Sequence, residues 1–222
     1  MLEAGSILAS DASEAMVNLM KRRAESEDWP NFDARVLDAQ NTRLPESTFT
    51  HATICLGLHI MPDPDAAVKD AIRVLIPGGV FGATTFPQHK ENRFWFADMR
   101  TAFAAMPFDA PFPEVMPVQL HSSGHWYDKT WLETHLPSLG LKNVKVTEQS
   151  GSYQLNSAEE YMNFFSMMLP FLLKTYWSEE QRAMHDLEEV TGLIHKHLVD
   201  KYNGQGWEIR WDVLYMTGLA DK

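Results

Sequence analysis

The stretch from Ile54 to Thr85, ICLGLHIMPDPDAAVKDAIRVLIPGGVFGATT, limits this chain to few architectures. A short apolar run ends at the small-residue patch Cys55-Leu56-Gly57. The turn Pro62-Asp63-Pro64 follows, then an amphipathic segment from about Asp65 to Leu75, a Pro77-Gly78-Gly79 turn and a second apolar run, Val80–Thr85. Strand, loop, helix, turn, strand is a βαβ unit, and its two strands belong to a parallel sheet. Upstream, Ile7–Ser10 reads as a strand ending in an acid, Asp11, and Ala34–Leu37 as a strand ending in a second acid, Asp38.

Between these strands Glu14–Glu25 has helical periodicity, with Ala15, Met16, Leu19 and Met20 on one stripe and Ser13 placed to cap it. Thr50–Leu56 is the third strand and Val80–Thr85 the fourth. Phe94–Ala105 then reads as a helix. Pro107, Pro111, Pro113 and Pro117 make the next stretch loop, because each removes a backbone donor and fixes φ. Asp128–Leu139 is a helix capped by Asp128 and ended by Gly140. Val144–Thr147 alternates as a strand, Ser157–Leu173 and Ser178–Tyr202 are helices, and Trp207–Leu219 is a final strand. The expectation is one α/β domain over residues 1–222, with a helical cap at 157–202 inserted before the last strand.

Charge and composition narrow the function classes. Thirty acids against 19 Lys and Arg give a net charge of −11, which opposes nucleic-acid binding because its affinity comes mainly from cation–phosphate contacts. No apolar run has the length of a membrane span. The N-terminal MLEAGSILASD lacks the basic flank of a signal peptide. The single cysteine, Cys55, rules out an internal disulfide and a cysteine-rich zinc site, so the default location is cytoplasmic. Seven Trp, twelve Phe and twelve Met serve either as core filler or as the lining of an aromatic small-molecule pocket.

Four places carry candidate chemistry. A carboxylate at the C-terminal end of a parallel strand accepts hydrogen bonds from vicinal ribose hydroxyls; Asp11 stands at such a place, with a helix-cap or turn role as the alternative. Asp38 with Ala39 suits an adenine edge, with an ordinary turn aspartate as the alternative. His59 follows the strand end where ligands sit in open α/β sheets. His121, His125 and Trp126, in HSSGHWYD, offer a general base near neutrality or packed loop residues. His195 and His197 read as helix-surface residues. No set of side chains has metal-ligand spacing.

ASDASEAMV, VLDAQNTRLPESTFTHATICLGLHIMPDPDAAVKDAIRVLIPGGVFGATTF and YDKTWLETHLPSLGLKNVKV resemble class I S-adenosylmethionine (SAM)-dependent methyltransferases, in the flavour common in fungal secondary metabolism. The resemblance covers about Ile7–Val146 and, more loosely, the final strand. It implies a doubly wound Rossmann-like sheet and S-adenosyl-L-methionine as cofactor. Asp11 would bind the ribose, Ala12 and Met16 would lie near adenine, and Asp38 and Ala39 would meet the adenine edge. Cys55, Leu56 and Gly57 would line the methionine side, and Leu58 and His59 would face the substrate. His59 and His125 are the candidate catalytic residues. Trp95, Phe96, Trp126, Tyr161 and Phe165 are expected to form a substrate pocket above His59.

The pattern departs from the family at its start, where the first strand and its glycine-rich loop are not recognisable. The fold is therefore expected to be N-terminally incomplete, with two strand edges unpaired. A fragment boundary, a degenerate member or completion by another chain would each produce this, and homo-oligomerisation stays open. The leading expectation is methyl transfer to O, N or C of a small metabolite. The alternative is a relative that no longer methylates and acts as a cyclase or isomerase template, or as a partner of an intact homologue.

Overall fold

A computed structural model describes residues 5–88 and 94–222. Part of the Phe86–Trp126 stretch, residues 89–93, and the first four residues of the segment read against a signal peptide lie outside it. The chain divides into two compact units. One comprises Met1–Thr85, Gln119–Thr147 and Tyr215–Lys222; the other comprises Phe86–Val118 and Glu148–Leu214.

In the first unit, β1 (Ile7–Asp11) leads into α1 (Glu14–Ser26), and β2 (Phe32–Val36) returns parallel to β1 in a register that sets Asp11 opposite Val36. The Ser13 hydroxyl accepts from Met16 N at 3.4 Å and caps α1. β3 (Phe49–Ile54), α2 (Pro64–Val74) and β4 (Leu75–Thr85) form the βαβ unit, with β3 and β4 parallel and Ile54 opposite Ala83. Pro64 opens α2, where its missing N–H costs nothing, and Asp63 caps it by accepting from Ala66 N at 2.9 Å. α2 buries Ala67, Val68, Ile72 and Val74. The β4 strand begins at Leu75 rather than Val80, so the Pro-Gly-Gly segment lies inside it, and a bulge between Phe49 and His51 absorbs the irregularity.

Two sheets result, β1-β2 and β3-β4-β6-β5. Among the described residues β1 pairs only with β2, and β3 only with β4, so each keeps one open edge. β5 (Leu141–Leu155) and β6 (Trp207–Ala220) are far longer than the expected Val144–Thr147 strand and slightly longer than the expected Trp207–Leu219 strand. Asp221 N donates to Gly140 O at one end, and Gly206 lies against Leu155 O at the other, so the two strands run antiparallel. α4 (Lys129–Ser138) is capped by Asp128, as its spacing predicts, and Gly140 follows it with φ +104°.

The second unit holds α3 (Trp95–Ala104), α5 (Ala158–Phe165), a 3₁₀ turn (Ser166–Met168), α6 (Leu169–Tyr176), α7 (Glu179–Met184) and α8 (Leu187–Tyr202). Two long helices were expected over this last stretch; the structure has four shorter ones. Pro170 lies in the first turn of α6, where it forbids a continuous helix. Asp186 starts α8 by accepting from Glu189 N at 2.8 Å. This unit has its own apolar core, to which Phe86–Val118 contributes beside the expected cap: Phe96, Met99 and Phe103 pack with Tyr161, Leu169, Ile194 and Leu198. A single carboxylate ties the core together. Asp98, 4 % exposed, accepts from Lys201 Nζ at 2.8 Å, Tyr202 hydroxyl at 2.6 Å and Trp207 Nε1 at 2.8 Å.

Candidate functional site

The candidate site residues of the first unit stand at the ends of β1, β2 and β3. Leu37 N donates to Asp11 O at 3.1 Å, continuing the parallel ladder and bringing Asp11 and Asp38 to the same end of the ribbon. Asp11 is half-buried. Its Oδ1 accepts from Ser13 N at 2.7 Å, so one oxygen shapes the approach to α1, the turn role weighed from the sequence. Ala12 and Met16 are exposed beside it.

Asp38 is exposed, and Ala39 half-buried. Gln40 organises this corner: its N and Nε2 donate to Asp38 Oδ1 at 2.9 and 3.1 Å, and its Oε1 accepts from Asp63 N at 2.8 Å. The side-chain bond from Gln40, then the backbone bond from the same residue, holds the Asp38 carboxyl below its ordinary range. The loop after β2 is thereby tied to the loop that starts α2. A second tie lies further along. Asp70 accepts from Thr42 N at 3.2 Å and from Arg73 Nε at 3.0 Å, while Arg73 Nη1 donates to Leu44 O at 2.6 Å.

β3 ends in a tight corner. Cys55 is exposed, Leu56 is 39 % exposed with φ +47°, and Gly57 is buried. A Cβ on Gly57 would stand 2.8 Å from Met61 Cε, and Gly57 O accepts from Ile60 N and Met61 N. The next residues, Leu58 and His59, are buried and held by the 119–126 loop. Leu120 N donates to His59 O at 2.8 Å, and His121 Nε2 bonds Leu58 O at 2.9 Å. Burial first, and the neighbouring His121 second, push the His59 imidazole down to about 4, so His59 is neutral at pH 7. Gln119 staples this loop: Nε2 donates to His121 O at 2.7 Å and Gly124 O at 3.1 Å, and Oε1 accepts from Trp126 N at 2.9 Å.

His125 is exposed, and its Nδ1 meets the Tyr127 hydroxyl at 3.1 Å. Among the two loop histidines it is His121 that bonds the His59 segment. Trp126 is fully buried and packs edge-on against Trp131. Trp95, Phe96, Tyr161 and Phe165 belong to the core of the second unit, where the Tyr161 hydroxyl donates to Trp95 O and Tyr161 packs against Phe165 at 4.9 Å. His197 meets Thr101 Oγ1 at 3.1 Å. Gln40, Gln119 and Thr84 were not singled out from sequence: each acts through partners brought in by tertiary folding, and no spacing announces them.

Among the described residues no three His, Cys, Asp or Glu side chains converge as metal ligands, and no helix is long and apolar enough to cross a membrane. The donor set fits the adenosine half of SAM: two carboxylates at one sheet end suit hydroxyl and amino donors.

A methyltransferase domain model matches residues 1–83. The chain is 26 % identical over 200 residues to methyltransferase tpcH of Aspergillus fumigatus, covering 90 % of this chain and 69 % of that one. It is 29 % identical over 196 residues to the acetylaranotin bis-thiomethyltransferase of Aspergillus terreus, covering 88 % and 65 %. It thus spans about two thirds of the length of these relatives. Its fold is similar to that of the cyclase SpnF (TM-score 0.53, 17 % identity, 98 % of this chain and 68 % of that one). It is similar also to phosphoethanolamine N-methyltransferase 2 of Haemonchus contortus in complex with SAM (TM-score 0.51, 13 % identity, 98 % and 44 %). Residues 1–83 thus carry a methyltransferase domain, and the strand-end acids, the βαβ unit, the fold and the relatives are all similar to those of SAM-dependent methyltransferases, which supports S-adenosyl-L-methionine as cofactor.

Proposed function

We propose that this protein methylates a small, secondary-metabolite-type molecule at O, N or C. The observation that carries the reading is that Asp11 and Asp38 stand at the same end of the β1-β2 ribbon, with the loop after β2 tied through Gln40 to Asp63 at the start of α2. Asp11 takes the ribose hydroxyls, with Ala12 and Met16 beside the adenine. Asp38, held ionised by Gln40, and the Ala39 N–H take the adenine edge. Cys55, Leu56 and Gly57 line the methionine side. Bound SAM supplies an activated methyl group, so positioning and alignment account for much of the rate.

His59 is neutral at pH 7 and adds no positive charge beside a cationic cofactor. It accepts a hydrogen bond from the acceptor O–H or N–H and orients its lone pair. His125, exposed and bonded to Tyr127, is the second candidate catalytic residue. Names of relatives such as the Aspergillus terreus bis-thiomethyltransferase support a secondary-metabolite substrate. The partner is a small molecule rather than nucleic acid, in keeping with the −11 charge.

A second reading is a non-methylating relative that templates a cyclisation or partners an intact homologue. The open edges of β1 and β3 favour it, and SpnF, named a cyclase, has a similar fold. Calorimetry of the full chain with SAM separates the two. Saturable binding weakened about tenfold or more by Asp11→Ala, from lost hydrogen bonds to a carboxylate, supports methyl transfer. No binding at millimolar SAM leaves the second reading.

A further inference from the structure

The Cys55–Leu56–Gly57 corner of the candidate site is built on a backbone conformation that Leu56 disfavours. Leu56 has φ +47°, a region in which an L-residue with a Cβ is strained. Gly57 cannot take a side chain without displacing Met61. Such a corner persists only when its surroundings hold it. The holding group is Thr84, on the strand next to β3. Its Oγ1 accepts from Leu56 N at 3.0 Å, and its hydroxyl points at Cys55 Sγ at 3.7 Å. The register explains the reach: Ile54 faces Ala83, so the next residue of β4 stands level with the start of the corner.

We propose that Thr84 is a positioning residue of the cofactor site: its hydroxyl holds the left-handed corner at Leu56 in the shape that receives the methionine side of SAM. The inference rests on the cofactor reading given above. Thr84 touches no reacting atom and acts through the Leu56 backbone. Valine is its isostere without the acceptor oxygen, and serine keeps the oxygen without the methyl, so the two variants separate hydrogen bonding from packing.

The test uses the full chain with Thr84→Val and Thr84→Ser, reading Leu56 amide hydrogen exchange by NMR and SAM affinity by calorimetry. In Thr84→Val the Leu56 amide is expected to exchange about tenfold faster and SAM to bind about tenfold more weakly, the scale of one hydrogen bond on a strained turn. Thr84→Ser should restore both. Unchanged Leu56 exchange in Thr84→Val overturns the clamp. Faster exchange with parental SAM affinity overturns its role in binding, and failure of serine to rescue overturns the role of the hydroxyl. If the parent chain binds no SAM, the cofactor reading fails first and this assignment falls with it. If the parent binds and Thr84→Val binds equally well, only this assignment falls.

Discussion

His59 makes acid stability a direct readout of how tightly the 119–126 loop covers the ligand end. Its imidazole is 9 % exposed and lowered from the usual 6.5 to about 4, chiefly by burial. The unfolded chain takes up this proton as pH falls through 6.5, whereas the folded chain takes it up only near 4. Stability from the buried neutral ring is therefore present above about pH 6.5, declines between 6.5 and 4, and levels off below. At ~1.36 kcal/mol per pH unit the full loss is ~3 kcal/mol. His59→Gln removes the titration and keeps a polar side chain of similar size. Urea unfolding of both proteins from pH 7 to pH 4 should show the stability gap between them narrowing by ~3 kcal/mol as the parent loses its share. Other groups displaced in the fold, including Asp33, Asp38, Glu160 and His197, titrate alike in both proteins and cancel in the difference. A gap that stays constant over this range, or an NMR titration placing His59 near 6.5, would refute the reasoning.

Three further outcomes follow from the hydrogen-bond networks. Asp98→Ala strands Lys201, Tyr202 and Trp207 and should destabilise the protein by ~3–5 kcal/mol in urea unfolding; a loss under 1 kcal/mol, within the usual range for an exposed ion pair, would show the cluster to be solvated. Gln40→Ala removes the side-chain bond to Asp38, the larger of the two causes that hold its carboxyl low, and keeps the backbone one, so the carboxyl pKa should rise part of the way towards the ordinary value in a carbon-13 NMR titration, and an unmoved midpoint would assign the shift elsewhere. Gln119→Ala deletes three bonds within the 119–126 loop, and at ~1 kcal/mol each it should cost ~2–3 kcal/mol and expose Trp126, read as red-shifted fluorescence. Unaltered emission and stability would mean the loop holds itself.

The elements that proved legible in the sequence are those set by local rules. Ser13 and Asp128 each cap a helix with a side-chain oxygen, and a cap is a two- or three-residue affair. The βαβ unit is legible because apolar period and Pro/Gly punctuation agree. β5 was read as four residues because EQSGSYQ is polar. The strand runs to Leu155 because β6 lies alongside it, and long-range pairing overrides propensity. The break before α8 was in principle visible, since Asp186 precedes Glu189 by three residues in the capping pattern. In the candidate site, strand-end acids could be placed by pattern alone. Gln40, Thr84 and Gln119 could not, because their partners lie up to 28 residues away or depend on a loop already folded.

The separation of β1-β2 from the larger sheet has a thermodynamic consequence. A two-stranded ribbon is marginal by itself, and Ile7 and Val36 on this one are about half exposed. What secures it is α1, together with the Gln40–Asp63 and Arg73–Leu44 ties. Amides of β1 and β2 should therefore open in a sub-global unit of their own, at lower free energy than those of β3 and β4. Asp11 and Asp38 lie at the end of that ribbon. A ligand that grips both carboxylates must first order the region that carries them, so part of its gross interaction energy is absorbed by folding, and its grip in turn protects amides it never touches.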